Sequence, residues 1–342
     1  MNTDKFRALM EPGLYGNLFG KKIPLYSLFL IIPLFTLLFV LYILLVPIFH
    51  TNSLSREAIH GILDLSDLDE TQMTKVALRG EWEFYWKQFL VRLPKNGKVN
   101  YIKLPSAWNS SMPEQTEFSL GQGYATFALK VKLPSQARDY SIKLRPISSA
   151  YKLYINGKKV GENGVLGKTL VGEKPGLHNK IYHLGKQANQ IDLVLQVSNF
   201  QLNYGGLRRQ ILLGTTEEIV SVQINSNNQK LFFAGAFYLI GIYHLGLHFI
   251  RRAKDTFYFG IFCFIGSLYM FVDNELLLYH YFPQVPWLLT IRLQYIMLYF
   301  STITAVLYVY YLYPRDFPLR QIRAIIAVTI VFFILTLFFS AR

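Results

Sequence analysis

The chain has 342 residues, 35 of them Lys or Arg against 21 Asp or Glu, for a net charge of +14; it is 52% hydrophobic and only 16% charged. Soluble globular proteins carry about a quarter charged residues, so this composition excludes a disordered tail and argues against a wholly soluble protein. The one cysteine, Cys263, excludes an intramolecular disulfide framework and a cysteine-based zinc site.

In chain order, residues 1–23 form a polar lead with Lys5, Arg7, Lys21 and Lys22, expected in the cytoplasm. Residues 24–49, Pro24 to Phe49, are one uncharged apolar run. A secretory h-region is about 7–15 residues long and ends at a small-residue cleavage site. This run is longer and is followed by His50-Thr51-Asn52-Ser53, so it reads as an uncleaved transmembrane anchor. Pro33 and Pro47 are tolerable there because neighbouring groups satisfy the freed carbonyls.

Residues 50–228 differ in character. Thr51 to Asn228 holds 22 Lys and Arg against 15 Asp and Glu, the ordinary charge density of a water-exposed domain. Period-two alternation marks half-buried strands. Trp82, Phe84 and Trp86 alternate with Glu81, Glu83 and Tyr85; Phe127, Leu129, Val131 and Leu133 with Thr126, Ala128, Lys130 and Lys132. Ile142 and Leu144, and Ile191, Leu193, Leu195 and Val197, repeat the pattern. Tyr151, Leu153 and Ile155 run into Asn156-Gly157, the pair that supplies the positive φ angles of a type I′ hairpin. Pro105, Pro134, Pro146 and Pro175 punctuate the strands, and no helical period appears before the next apolar block. Many short strands between regular turns predict an all-β sandwich or jelly roll.

Four further spans are predicted at about 229–250, 256–278, 287–313 and 321–340, a helical bundle over 229–342; a hydrocarbon core of ~30 Å needs roughly 20 apolar residues as helix. The third reaches that length only if Asp273 to Leu278 extends it. Arg251, Arg252 and Lys254 join the first two of these spans, and Arg315, Arg320 and Arg323 the last two, whereas Asp273 to Pro286 has no Lys or Arg. The positive-inside rule then places the N-terminus in the cytoplasm and the β domain outside. The basic residues mark topology rather than one folded face, which argues against nucleic acid. Tyr308, Tyr310, Tyr311 and Tyr313 fit an interfacial aromatic belt.

Leu78-Arg79-Gly80-Glu81-Trp82-Glu83-Phe84-Tyr85-Trp86, Leu104-Pro105-Ser106-Ala107-Trp108 and Gly123-Tyr124-Ala125-Thr126-Phe127 resemble a galactose-binding-like jelly roll. Ser149-Ala150-Tyr151-Lys152-Leu153-Tyr154-Ile155-Asn156-Gly157 and Val197-Ser198-Asn199-Phe200 continue the order, followed by Gly241-Ile242-Tyr243-His244-Leu245, Arg251-Arg252-Ala253-Lys254-Asp255 and Tyr311-Leu312-Tyr313-Pro314. From Leu63 onward the chain is similar to the bacterial seven-transmembrane receptors with diverse intracellular signalling modules. The resemblance implies an outer sensor, a helical relay in the bacterial cytoplasmic membrane, and a cytoplasmic signalling module or a second copy of the chain as partner. Only four of the seven implied helices are present, so the resemblance implies a truncated chain whose catalytic output would lie beyond residue 342.

Each candidate site has a plain structural reading beside it. Glu162-Asn163-Gly164-Val165-Leu166-Gly167-Lys168-Thr169 nearly spells a P-loop, but Glu162 stands where the first glycine belongs and a hairpin precedes it; a surface loop is expected. Asp64, Asp67 and Asp69 resemble half a calcium loop without its glycine and distal Glu; a solvated loop is expected, with no cofactor or metal. Trp82, Trp86 and Tyr151 are in phase with the core. Trp108, Tyr124, Asn199 and Tyr204 flank the alternation near Gly205-Gly206 and are the candidate binding residues for a small ligand, with carbohydrate as the leading class; for Trp108 a plug of the sandwich end is an equal alternative. His244 and His248 share a helix face and are expected to make polar contacts in the bundle. Asp273 and Arg292, either side of one turn, form a candidate intramembrane pair. No nucleophile elbow, HExxH or His/Asp/Ser constellation appears, so the segment is read as non-enzymatic. The expected function is that of a receptor's sensing and relaying portion; an anchored envelope scaffold and a small transporter using His244, Asp273 and Arg292 are the alternatives.

Overall fold

The computed structural model describes residues 16–18, 21–23, 56–68, 75–94, 99–111, 121–145, 147, 149–176, 180–273, 277–282, 284–315 and 318–338. The predicted anchor at 24–49 lies outside the described residues. The chain divides into two compact units, residues 1–52 and 53–342. In the first, β1 (Gly16–Leu18) pairs antiparallel with β2 (Lys21–Ile23).

The second unit opens with β3 (Glu57–Ala58), β4 (Ile62–Asp64), β5 (Lys75–Ala77), β6 (Arg79–Trp86), β7 (Asn100–Leu104) and β8 (Ser106–Ala107). A one-turn helix α1 (Trp108–Ser111) follows, then β9 (Gly123–Lys132), β10 (Arg138–Leu144), β11 (Ala150–Ile155) and β12 (Lys158–Asn163). The domain closes with β13 (Lys180–Gln187), β14 (Gln190–Asn199), β15 (Gly206–Leu207) and β16 (Ile211–Thr215). One large sheet runs β12-β11-β14-β9-β6-β3, with β4 on β9 and β7 on β6; a four-stranded sheet runs β13-β10-β16-β5, and β15 pairs with β8.

The predicted alternation is what closes these sheets on each other. Trp82 and Phe84, Phe127, Leu129 and Val131, Tyr151 and Leu153, and Leu193, Leu195 and Val197 form one continuous core with Val76, Tyr140, Ile142, Leu144, Ile211 and Leu213 of the smaller sheet. Each such side chain contributes about 1.5–3 kcal/mol relative to exposure. Asn156 and Gly157 take φ of 49° and 76°, as the hairpin expectation requires.

Helices follow without a break. β16 ends at Thr215, and α2 (Thr216–Arg251) begins at the next residue and continues for 36 residues, about 54 Å at ~1.5 Å per residue. Then come α3 (Lys254–Val272), the short α4 (Leu277–Tyr281), α5 (Trp287–Leu312) and α6 (Leu319–Phe338). α2, α3, α5 and α6 are long and apolar enough to cross a membrane. Two boundaries differ from expectation. α2 starts some thirteen residues before the predicted span at 229, and α3 stops at Val272. Asp273 adopts extended backbone, so the helix does not continue through it as expected.

α2 packs on α3, α3 on α5, and α5 on α6. The α2–α3 seam is made of small residues: Ala234 and Gly241 on one side, Gly260, Cys263 and Ser267 on the other. A Cβ on Gly241 would lie 3.1 Å from the Gly260 carbonyl oxygen, so the backbones approach closely. In a bilayer such packing replaces the hydrophobic drive that lipid cannot supply.

Candidate functional site

The register assigns each candidate to an end of the sandwich. Across β9 and β14, Gly123 lies opposite Asn199 at one end and Lys132 opposite Gln190 at the other. β13 reaches β14 through Ala188-Asn189 alone, and Tyr140 on β10 pairs with Thr215. The second end is therefore where α2 departs. Trp108, Tyr124, Asn199 and Tyr204 gather at the first end, about 30 Å away at ~3.3 Å per strand residue.

At that far end Trp108 is fully buried. Its ring stacks 6.3 Å from Phe127 and meets Trp86 edge-on at 5.3 Å, and its Nε1–H donates to the Gly121 carbonyl at 3.1 Å. Asn199 is also buried; its Nδ2 donates to the same carbonyl at 2.8 Å and to the Leu202 carbonyl at 2.7 Å. Both expectations of ligand contact are corrected here: Trp108 plugs the end of the core, and Asn199 holds the loop above it. Gly205 serves the same plug, since a Cβ there would sit 2.2 Å from the Trp108 ring. Tyr124 and Tyr204 stay accessible. Tyr124 is half-buried against Phe89 at 4.8 Å, with the Lys168 ammonium 5.9 Å above its ring. Tyr204 is 57% exposed and carries the Arg208 guanidinium at 5.6 Å.

Glu173 is a residue of this end that sequence reasoning missed. It is buried, accepts from Ser198 Oγ at 3.0 Å and from the Phe200 N–H at 2.7 Å, and burial pushes its carboxyl above the ordinary range. Ser198 Oγ also accepts from the Gly167 N–H at 3.2 Å. The carboxylate thus fastens the loop 164–176 to β14. That segment has no period, so nothing in its sequence pattern announced a buried acid. The loop continues from β12 of a hairpin, not from a strand into a helix, which agrees with a surface loop rather than a phosphate cradle. Asp64 receives Lys132 at 2.8 Å and Ser66 Oγ at 2.6 Å, and Asp67 pairs with Arg56. These partners hold both carboxyls below their usual range; Asp69 lies outside the described residues. Among the described residues no group of three or more His, Cys, Asp or Glu could hold a metal ion.

At the other end an open cleft of about 550 Å³ lies between the smaller sheet and α2, lined by Arg138, Asp139, His183, Gly185, Thr215, Thr216 and Glu217. Beside it the fully buried Ser141 places its Oγ 2.8 Å from Thr216 Oγ1 and 3.0 Å from His183 Nδ1. One turn on, Ile219 is fully buried against Ala77 and Leu212, with Ile181 and Val222 alongside. Burial holds the Lys75 ammonium below its usual range, with Glu218 opposing. Alternation explains the arrangement: Ser141 of β10 faces α2 while Tyr140, Ile142 and Leu144 face the core.

In the helices, Asp273 pairs with Lys230 of α2 at 3.1 Å. The expected Asp273–Arg292 contact is replaced: the Asp273 carboxyl is met by the Lys230 ammonium from α2. The Nε of Arg292 has no hydrogen-bond partner among the described residues. Gln294 Nε2 donates to the Val272 carbonyl and Ser267 Oγ to the Ala234 carbonyl at 2.8 Å. His244 packs edge-on to Phe259 at 4.6 Å, and His248 Nδ1 lies 2.8 Å from the Ala253 carbonyl at the turn into α3. The two histidines therefore serve α2–α3 packing and the turn separately. Tyr311 stacks on Tyr258 at 5.3 Å beneath the Lys254 ammonium.

Residues 229–342 match the family described as 7TM diverse intracellular signalling. The helical region is similar to this signalling family. The resemblance seen in the sequence is borne out there, and four apolar helices with this match make the chain a multi-pass membrane protein. Comparison with curated proteins finds no match. Among solved structures, a β-glucuronidase of Faecalibacterium prausnitzii is similar at 17% identity and TM-score 0.34, covering 42% of this chain and 31% of its own. A GH2 β-galacturonidase of Eisenbergiella tayi bound to galacturonate aligns at 14% identity and TM-score 0.30, over 42% and 24%. A Ruminococcus gnavus β-glucuronidase aligns at 13% identity and TM-score 0.32, over 42% and 28%. The chain spans less than a third of the length of each.

Proposed function

We propose that this chain is the sensing and relaying portion of a transmembrane signalling receptor. The β domain lies outside the cytoplasmic membrane and binds a small ligand, and the helices carry the response toward a cytoplasmic signalling module. The observation that carries this reading is the unbroken passage from β16, an interior strand of the smaller sheet, into the membrane helix α2. A domain that merely tethers a binding protein needs no such direct connection, whereas a relay does. The basic residues Arg251, Arg252 and Lys254 at the α2–α3 turn support the orientation. The accessible rings of Tyr124 and Tyr204, each beside a cation, favour a saccharide bearing an acidic or hydroxyl-rich edge as the ligand.

The chain in lipid nanodiscs, titrated with neutral hexoses, uronic acids and amino sugars, tests this. Expected is saturable binding by at least one of them, lost in Tyr124→Ala with an unchanged melting temperature. The same ligand should alter the spin-label distance between α2 and α5. A panel without binders overturns the ligand class. Binding that leaves the helices unmoved overturns the relay and leaves an anchored binding protein.

A further inference from the structure

We propose that the Thr216–Ser141 hydroxyl pair is a latch that joins the smaller sheet to α2 and fixes the helix's angular position on it. The inference rests on the relay reading above and names the residues through which the relay is set. Two other contacts already hold α2 to the sheet, the covalent step from Thr215 and the apolar seat of Ile219 on Ala77 and Leu212. Neither places a directional bond between α2 and β10. A single chain link turns about its own bonds, and an apolar seat is non-directional. Hydrogen bonds are directional, and this one comes from a serine with no solvent exposure.

Ser141 Oγ lies between Thr216 Oγ1 at 2.8 Å and His183 Nδ1 at 3.0 Å, and Thr216 Oγ1 also reaches the Asp139 carbonyl at 3.4 Å. Three adjacent groups, on β13, β10 and the first residue of α2, are thereby tied in one chain. Interiors packed at native density do not deform smoothly, so change there passes between discrete arrangements. The cleft beside the latch, lined by Thr215, Thr216 and Glu217 themselves, is the room into which the first turn moves on release. Below, the Lys230–Asp273 pair, the Ser267–Ala234 bond and the Gly241–Gly260 approach bind α2 to α3. A turn set at the latch is therefore delivered to both helices together.

The test uses the chain in lipid nanodiscs with spin labels at Lys158→Cys and Asn228→Cys in a Cys263→Ala background. The parent should give one narrow distance distribution. Thr216→Val keeps the shape and removes the hydroxyl; it should at least double the width or add a second population. Thr216→Ser should restore the parental distribution, and Ser141→Ala should reproduce the effect of Thr216→Val if the valine variant fails to fold. A broad parental distribution overturns the latch, as do Thr216→Val and Ser141→Ala distributions identical to the parent. None of these readings requires a ligand, so a failed ligand titration with an intact latch sinks the receptor reading alone.

Discussion

Trp108 shows how a residue outside every periodic run becomes core. It follows β8 and its flanks carry no alternation, so its sequence suited a ligand platform as well as a plug. The decision lies in groups far along the chain, the Gly121 carbonyl that takes its N–H and the Gly205 backbone that admits its ring. Trp108→Ala should therefore cost about 3–5 kcal/mol, measured by urea unfolding, whereas Tyr204→Ala should stay within about 0.5 kcal/mol, as exposed sites do. Glu173 supplies a signed pH effect. Burial raises its folded pKa above the ordinary 4.5, so the folded chain holds the proton to higher pH than the unfolded chain. Stability from this group is greatest below the unfolded value and declines as pH rises through the folded one. Glu173→Gln should flatten that decline, read as melting temperature from pH 4 upward. Asp64, held low by Lys132 and Ser66, acts with the opposite sign, its stabilisation fading as pH falls.

Elements differ in how openly their sequences declare them. The long strands were readable because one face is buried and a one-residue slip would expose it. The same rule gave the hairpin at Asn156-Gly157. The first four turns of α2 were not readable. Ser221, Asn225, Ser226, Asn227 and Asn228 are weak helix formers, and the segment is helical because Ile219 seats on the sheet at one end and the membrane span continues it at the other. Short β3 was also silent, yet it governs a neighbour. Gly80 has φ of 104°, and a Cβ there would fall 2.4 Å from the Ala58 backbone nitrogen. Gly80→Ala should destabilise the sandwich by more than ~1 kcal/mol, with thermal unfolding as the measure; a neutral result would mean that β3 does not pair with β6.

For the whole molecule, hydropathy placed five spans; the structure returns helices at the last four, and the first, at 24–49, lies outside the described residues. The sidedness of the membrane follows from loop charge and has its own check. With an impermeant thiol reagent and a Cys263→Ala background, Lys168→Cys should label from outside. Lys254→Cys and Arg320→Cys should label only after the membrane is opened. The reverse pattern would invert the orientation. The two ends of the sandwich were beyond sequence reasoning, because their assignment depends on which residues of β9 and β14 face each other across the sheet.

The continuity of β16 and α2 has a consequence for how such proteins are recombined. A flexible tether can be lengthened freely, but an uninterrupted helix carries angular phase. One inserted residue turns everything below it by about 100° and lifts it ~1.5 Å, while seven return it to within ~20°. The Ser141–Thr216 contact above and the Lys230–Asp273 pair below are related by that phase. Any exchange of sensor domains onto these helices, by gene fusion or in evolution, therefore has to conserve the residue count from Thr216 to Lys230 modulo whole heptads. That makes the polar, loosely composed stretch between them a measured spacer whose length matters more than its letters.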